Sequence, residues 1–206
     1  MKDDRIEQVG TMILSEQHCH LGEGCTYDPG TDTAWWFDIL ERILFQADLA
    51  SGAITAHALP LMASVLAFID DAHQLLATEN GLYLRDVAGG RLTLHTPLEA
   101  DNAATRSNDG RAHPCGALWI GTMGRRAEKG AGAIYRFHRG ELRRLYAGVT
   151  IPNAICFSPD GATAYFTDSS EGILYRVAID PANALPTGNP ATLYDHRGGA
   201  GSRTAP

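Results

Sequence analysis

One unit recurs four times along this chain, and that repeat limits the fold more than any other feature. Four short strand-like runs carry it: Ala34-Trp35-Trp36-Phe37, Gln74-Leu75-Leu76-Ala77, Leu118-Trp119-Ile120-Gly121 and Ala164-Tyr165-Phe166-Thr167. With Trp36, Leu76, Ile120 and Phe166 taken as equivalent, the steps are 40, 44 and 46 residues. Each run follows a turn-forming segment, YDPGTD, IDDAH, HPCG or SPDG. Proline presets φ there, and glycine supplies the conformations a tight reversal needs. Each run also precedes a second one, such as Leu82-Tyr83-Leu84 or Leu174-Tyr175-Arg176-Val177. A third polar-apolar stretch follows another glycine turn, as in Ser51-Gly52-Ala53-Ile54.

No segment sustains a 3.6-residue apolar period. The most helix-like stretch, LPLMASVLAFID at 59–70, reads as a linker leading into a buried strand. The expectation is therefore all-β. A four-stranded antiparallel unit cannot bury both of its faces alone, so units of this length stack radially as the blades of a β-propeller. The blade-like repeats fall at about 19–60, 61–100, 101–148 and 149–195, with an irregular tail at 196–206. Residues 1–206 then read as a single propeller domain, either a four-bladed ring or a partial, larger one on the pattern alone, with a β-sandwich of evenly spaced turns as the alternative.

Composition narrows the function classes. The chain carries 24 acidic and 17 basic side chains, a net charge of −7, which argues against a nucleic-acid partner. No apolar run approaches the roughly 20 residues of a membrane-spanning helix. The opening MKDDRIEQVG lacks the apolar core of a secretion signal, so a cytoplasmic protein with reduced thiols is expected. Cys19, Cys25, Cys115 and Cys156 have no zinc-site spacing.

Counting back from the turn prolines picks out candidate site residues. Six residues before Pro29, Pro114 and Pro159 stand Glu23, Asn108 and Asn153, and the second unit offers a position near Ser64. If this position opens the innermost strand of each blade, its side chains converge at one mouth of the channel. One carboxylate and two amides there suit a hard divalent cation such as Ca²⁺ or Mg²⁺, with Zn²⁺ also open. The alternative is that the three side chains cap turns.

The motifs LGEG (21–24) with WFDI (36–39), RSNDG (106–110) with WIGTM (119–123), and Asn153 through SPDG (158–161) with YFTDS (165–169) occur in this order. On them the chain resembles the SMP-30/gluconolactonase/regucalcin-like family over residues 15 to about 198. The resemblance implies a six-bladed propeller, of which about four blades are present, with one divalent cation (Ca²⁺, Zn²⁺ or Mg²⁺) on its axis. It implies hydrolysis of sugar lactones to aldonic acids, with Glu23 and Asn153 as metal ligands and Arg106 and Asn108 contacting substrate. Asp109 is read as orienting its loop. The family's general-base aspartate is expected in a later blade, after Gly198-Gly199, where this chain reads AGSRTAP, which looks like a frameshift or premature end.

Asp168 and Glu128 remain base candidates on charge alone, and the RRAEKGAG loop around Glu128 is a candidate lid. A non-catalytic calcium-binding or scaffold propeller and an inactive, truncated lactonase homologue are the alternatives. An open ring would also expose blade edges for self-association. No Gly-x-Ser-x-Gly elbow or P-loop occurs, His18 and His20 read as strand or surface residues, and His113-Pro114-Cys115 reads as a turn.

Overall fold

The computed structural model describes residues 13–198. Among them sixteen strands form four antiparallel sheets, each a meander in sequence order. Blade 1 comprises β1 (Gly22–Asp28), β2 (Thr33–Asp38), β3 (Ile43–Asp48) and β4 (Ile54–Ala58). Blade 2 comprises β5 (Ala63–Asp70), β6 (His73–Thr78), β7 (Gly81–Asp86) and β8 (Leu92–Pro97). Blade 3 comprises β9 (Thr105–Ala112), β10 (Leu118–Gly124), β11 (Gly132–His138) and β12 (Glu141–Val149). Blade 4 comprises β13 (Pro152–Phe157), β14 (Thr163–Asp168), β15 (Ile173–Ala178) and β16 (Ala191–Asp195). Of the tail expected to be irregular, His196–Gly198 forms a 3-10 turn, and 199–206 lie outside the described residues, as do 1–12.

The core lies between blades. Residues on a strand alternate between its two faces. In β10, Leu118 and Ile120 therefore join Val65, Leu75 and Leu82 of blade 2, while Trp119 joins Ile155, Phe166 and Val177 of blade 4. Both faces of that strand are covered, and every residue of it is buried. This is why the LWIG run is apolar throughout. In β14 only one face is covered: Ala164 and Phe166 are buried against blade 3, while Thr163, Tyr165 and Thr167 on the other face are half-buried. Trp35 and Phe37 similarly pack on Leu66 and Leu76 of blade 2. Trp36, on the other face of β2, stacks on Phe45 with ring centroids 5.2 Å apart.

Three apolar clusters thus join blade 1 to 2, 2 to 3 and 3 to 4. Among the described residues none joins blade 4 to blade 1, and those residues form an arc of propeller blades. The innermost strands β1, β5, β9 and β13 contact one another in that order. The stretch expected to be a linker and a buried strand is one: Ala63–Asp70 forms β5, buried from Ala63 to Ala67.

Candidate active site

All four inner strands carry a β-bulge near their start. Three residues face two of the neighbouring strand: Glu23 to Thr26 against Phe37 to Trp35, and Ala63 to Leu66 against Thr78 to Leu76. The same holds for Ser107 to Gly110 against Thr122 to Ile120, and Asn153 to Cys156 against Thr167 to Tyr165. A bulge re-aims side chains and strengthens local twist. Four in register make a belt of irregular backbone across one end of the inner strands.

This register corrects the proline count at one blade. Ser107, not Asn108, is equivalent to Glu23 and Asn153, and Asn108 is the next residue, equivalent to Gly24, Ser64 and Ala154. The path from the bulge to its partner strand is one residue longer in blades 2 and 3 than in blades 1 and 4, so the count that reaches Asn108 and Ser64 slips by one. Leu76 and Ile120 likewise lie one residue short of true equivalence with Trp36 and Phe166.

Polar contacts run from blade to blade along the belt. The Ser64 hydroxyl donates to Ser107 Oγ at 2.8 Å, and Ser107 Oγ donates to the Ala77 carbonyl at 3.1 Å. Arg106 is buried, and its Nη1 donates to Ser107 O at 2.8 Å and Asn108 Oδ1 at 3.0 Å. Asn108 Nδ2 in turn donates to Pro152 O and to Asn153 Oδ1, both at 3.0 Å. Asn153 Nδ2 donates to Ser169 Oγ at 3.0 Å, and Asp109 Oδ2 accepts the Ile155 N–H at 2.7 Å. Arg106, Asn108 and Asn153 are therefore one hydrogen-bonded unit spanning blades 3 and 4.

Glu23, Asp109, Arg111, Asn153, Ala154, Ile155 and Cys156 line a cavity of about 390 Å³. Burial, and then the neighbouring Asp109 charge, raise the Glu23 carboxyl above its ordinary pKa against the pull of Arg106. Burial also raises Asp109, against the Ile155 N–H that favours its ionised form. Burial lowers the Arg106 guanidinium, with a contribution from Arg125. Two desolvated carboxylates facing one cavity are the electrostatic setting a cation relieves.

A divalent cation fits this donor chemistry. Among the described residues no three His, Cys, Asp or Glu side chains cluster as a metal centre. The cavity instead offers carboxylate and amide oxygens, the hard donors that Ca²⁺ and Mg²⁺ prefer.

The remaining candidates lie elsewhere. Asp168 is buried, and its carboxylate accepts the N–H groups of Thr150 at 2.7 Å and Ile151 at 3.0 Å. Burial raises its pKa, but these N–H groups and Ser170 outweigh burial and hold it below the ordinary value. Asp168 thus braces the entrance to β13. Asp38 has the same place in blade 1, accepting His20 N–H at 2.7 Å and Leu21 N–H at 3.2 Å. Glu79 has it in blade 2, accepting Met62 N–H at 3.1 Å. WWFD and YFTD carry this acid at the same place in two repeats, a signal that the reading of Asp168 as a base candidate left unused. Glu128 is exposed in the loop after β10 and accepts the Arg126 N–H at 3.0 Å. His20 is exposed and paired with Glu41 at 2.6 Å. His113 is buried in the turn before β10, with Nε2 2.9 Å from the Gly161 carbonyl.

Four-stranded blades arrayed about inner strands, with an oxygen-lined cavity at one end of those strands, define a β-propeller with a candidate cation site. The chain belongs to the SMP-30/Gluconolactonase/LRE-like family, which its residues 21–202 match. It is 58% identical over 182 residues to a Rhizobium meliloti (strain 1021) protein named "Putative sugar lactone lactonase", covering 88% of this chain and 62% of that one. It is 30% identical to the 6-deoxy-6-sulfogluconolactonase of Pseudomonas putida, over 89% of this chain and 62% of that one. A crystal structure of regucalcin from Agrobacterium tumefaciens strain C58, described as a calcium-binding protein, superposes with a TM-score of 0.90 at 55% identity. That match covers 92% of this chain and 64% of the other. The chain thus spans a little over three fifths of the length of these relatives.

Proposed function

We propose that the protein hydrolyses sugar lactones to aldonic acids with the help of one divalent cation held at the bulge belt. The observation that carries this reading is the convergence of Glu23 and Asn153 on one cavity, with Asn153 hydrogen-bonded through Asn108 to buried Arg106. Relatives named as sugar lactonases support the reaction class.

Glu23 and Asn153 would hold Ca²⁺, Zn²⁺ or Mg²⁺, and a bound cation supplies polarisation of the lactone carbonyl and acidification of a water. Arg106 binds and orients the substrate. Its Nη1 is fixed by Ser107 and Asn108, and its remaining N–H donors are left for sugar hydroxyls. Asn108 couples the substrate side of the cavity to the cation side, because its amide bonds both Arg106 and Asn153. The general base is assigned to no residue of this chain. A sugar lactone is uncharged, which suits a chain of net charge −7.

The four unpaired cysteines fit a reducing cytoplasm, and no helix among the described residues is long and apolar enough to cross a membrane. Self-association through exposed blade edges belongs to the same reading, and Trp36, stacked on Phe45 outside the cluster that joins blades 1 and 2, is the apolar residue to probe.

Acid release from glucono-1,5-lactone, followed at constant pH, tests the reading. Turnover should stop on chelation and return with added cation. Turnover indifferent to chelator would reject the cation's role, and none in the cation-loaded protein would reject hydrolysis. The second outcome would favour calcium binding without turnover, the reading suggested by the structural relative described as calcium-binding.

A further inference from the structure

We propose that Asp109 is a positioning residue for the candidate cation site, holding the bulge of β13 in the conformation that turns Asn153 into the cavity. This rests on reading that cavity as a cation site.

The β13 bulge cannot hold itself. Its register against β14 jumps from Asn153 to Cys156, so the residues between them fall outside the regular ladder. Ile155 is only 2% exposed, and a buried N–H without an acceptor is costly. Asp109 Oδ2 accepts that N–H at 2.7 Å. The bond crosses from blade 3 to blade 4 and joins equivalent positions, because Asp109 and Ile155 occupy the same place in their own bulges. Ala154, between Asn153 and Ile155, has φ of 56°. That left-handed conformation costs a non-glycine residue about 1–2 kcal/mol, so an external tie is needed to keep it.

Blade 1 solves the same problem differently. Its equivalent residue is Gly24, which adopts φ of 66° beside Glu23 without the steric penalty. One cation-facing side chain is thus presented by a glycine bulge, and the other by an alanine bulge pinned from the neighbouring blade. Asp109 lines the same cavity, and its charge raises Glu23. A purely electrostatic role is therefore the competing account, and the conservative variant separates the two. Asparagine keeps an acceptor for Ile155 N–H and removes the charge.

Calcium titration by calorimetry of the wild type, D109N, D109A and E23Q, with the exchange rate of the Ile155 amide in each, decides the matter. D109A should bind calcium about tenfold or more weakly, as loss of a ligand-orienting partner does, and should expose the Ile155 amide to fast exchange. D109N should restore Ile155 protection and bring affinity back to within about threefold of wild type, a small loss on the scale of such partners. Wild-type affinity in D109A would overturn the proposal. So would D109N binding as weakly as D109A with Ile155 still protected, because the loss would then follow charge. A wild type that takes up no calcium, or an E23Q that binds as wild type does, would overturn the cavity reading itself. In that case the D109A exchange rate still reports separately on the tie to Ile155.

Discussion

At the scale of single residues, the bulge belt makes opposite demands at equivalent positions. A Cβ on Gly24 would lie 2.2 Å from the Ser64 carbonyl oxygen and 2.9 Å from the Phe37 ring, with φ already at 66°. Gly24→Ala should destabilise the protein by about 2 kcal/mol or more, combining the left-handed penalty with overpacking. Ala154→Gly, at the matching place in blade 4, relieves φ of 56° and should be neutral or stabilising by up to about 1 kcal/mol. Denaturant melts of the two variants measure both. The LGEG motif displayed Gly24, but sequence spacing hid its equivalence to Ala154 and Asn108. That equivalence depends on where each strand gains its extra residue, and the longer hairpin before β10 shifts the count. Glu23→Gln should weaken cation binding while leaving the metal-free fold intact or slightly more stable. The Glu23 carboxylate is held above its ordinary pKa, so its ionised form costs stability at neutral pH. That cost is absent below the unfolded-state pKa and grows as pH rises through the folded one. A higher melting temperature at neutral pH together with lost calcium affinity is the expected pair of results for this variant.

At the scale of strands and turns, an acid braces the entrance to the inner strand in three blades. Asp38, Glu79 and Asp168 are all shifted below their ordinary pKa although burial alone would raise them. At Asp38 and Asp168 the N–H groups they accept outweigh that desolvation, and at Glu79 the Arg125 guanidinium does so first, with the Met62 N–H adding to it. With folded values depressed, the unfolded chain binds more protons in acid. The stability these groups contribute is complete above the usual carboxylate range and is lost as pH falls through their depressed values. Asp168→Ala leaves Thr150 and Ile151 N–H without their acceptor, at about 1–3 kcal/mol for each group left unpaired. Thermal melts between neutral and acid pH should show a shallower acid limb in that variant than in wild type. Blade 3 has Met123 at the equivalent place, and there Glu99 takes hydroxyls from Thr105, Thr122 and Tyr135 instead. This substitution of one brace for another was not readable from the repeat, because Glu99 lies in a connecting loop.

At the scale of the molecule, the repeat was legible because each blade supplies the same alternating apolar faces. Its period exposed the strand count and the all-β class before any contact was known. The convergence of Glu23, Asp109 and Asn153 was less so, since they come from three blades and meet only through the stacking of inner strands. Among the described residues, Trp36 and Phe45 stack on a face of blade 1 that no apolar cluster ties to blade 4. Concentration-dependent size-exclusion chromatography should show self-association, and Trp36→Glu should reduce it; a concentration-independent monomer would speak against that face as a contact. The cation site itself has the most direct test. Diffraction from crystals soaked in Ca²⁺ should show one ion about 2.3–2.6 Å from a Glu23 carboxylate oxygen and the Asn153 amide oxygen. An ion bound only elsewhere, or a cavity empty at saturating calcium, would contradict the account.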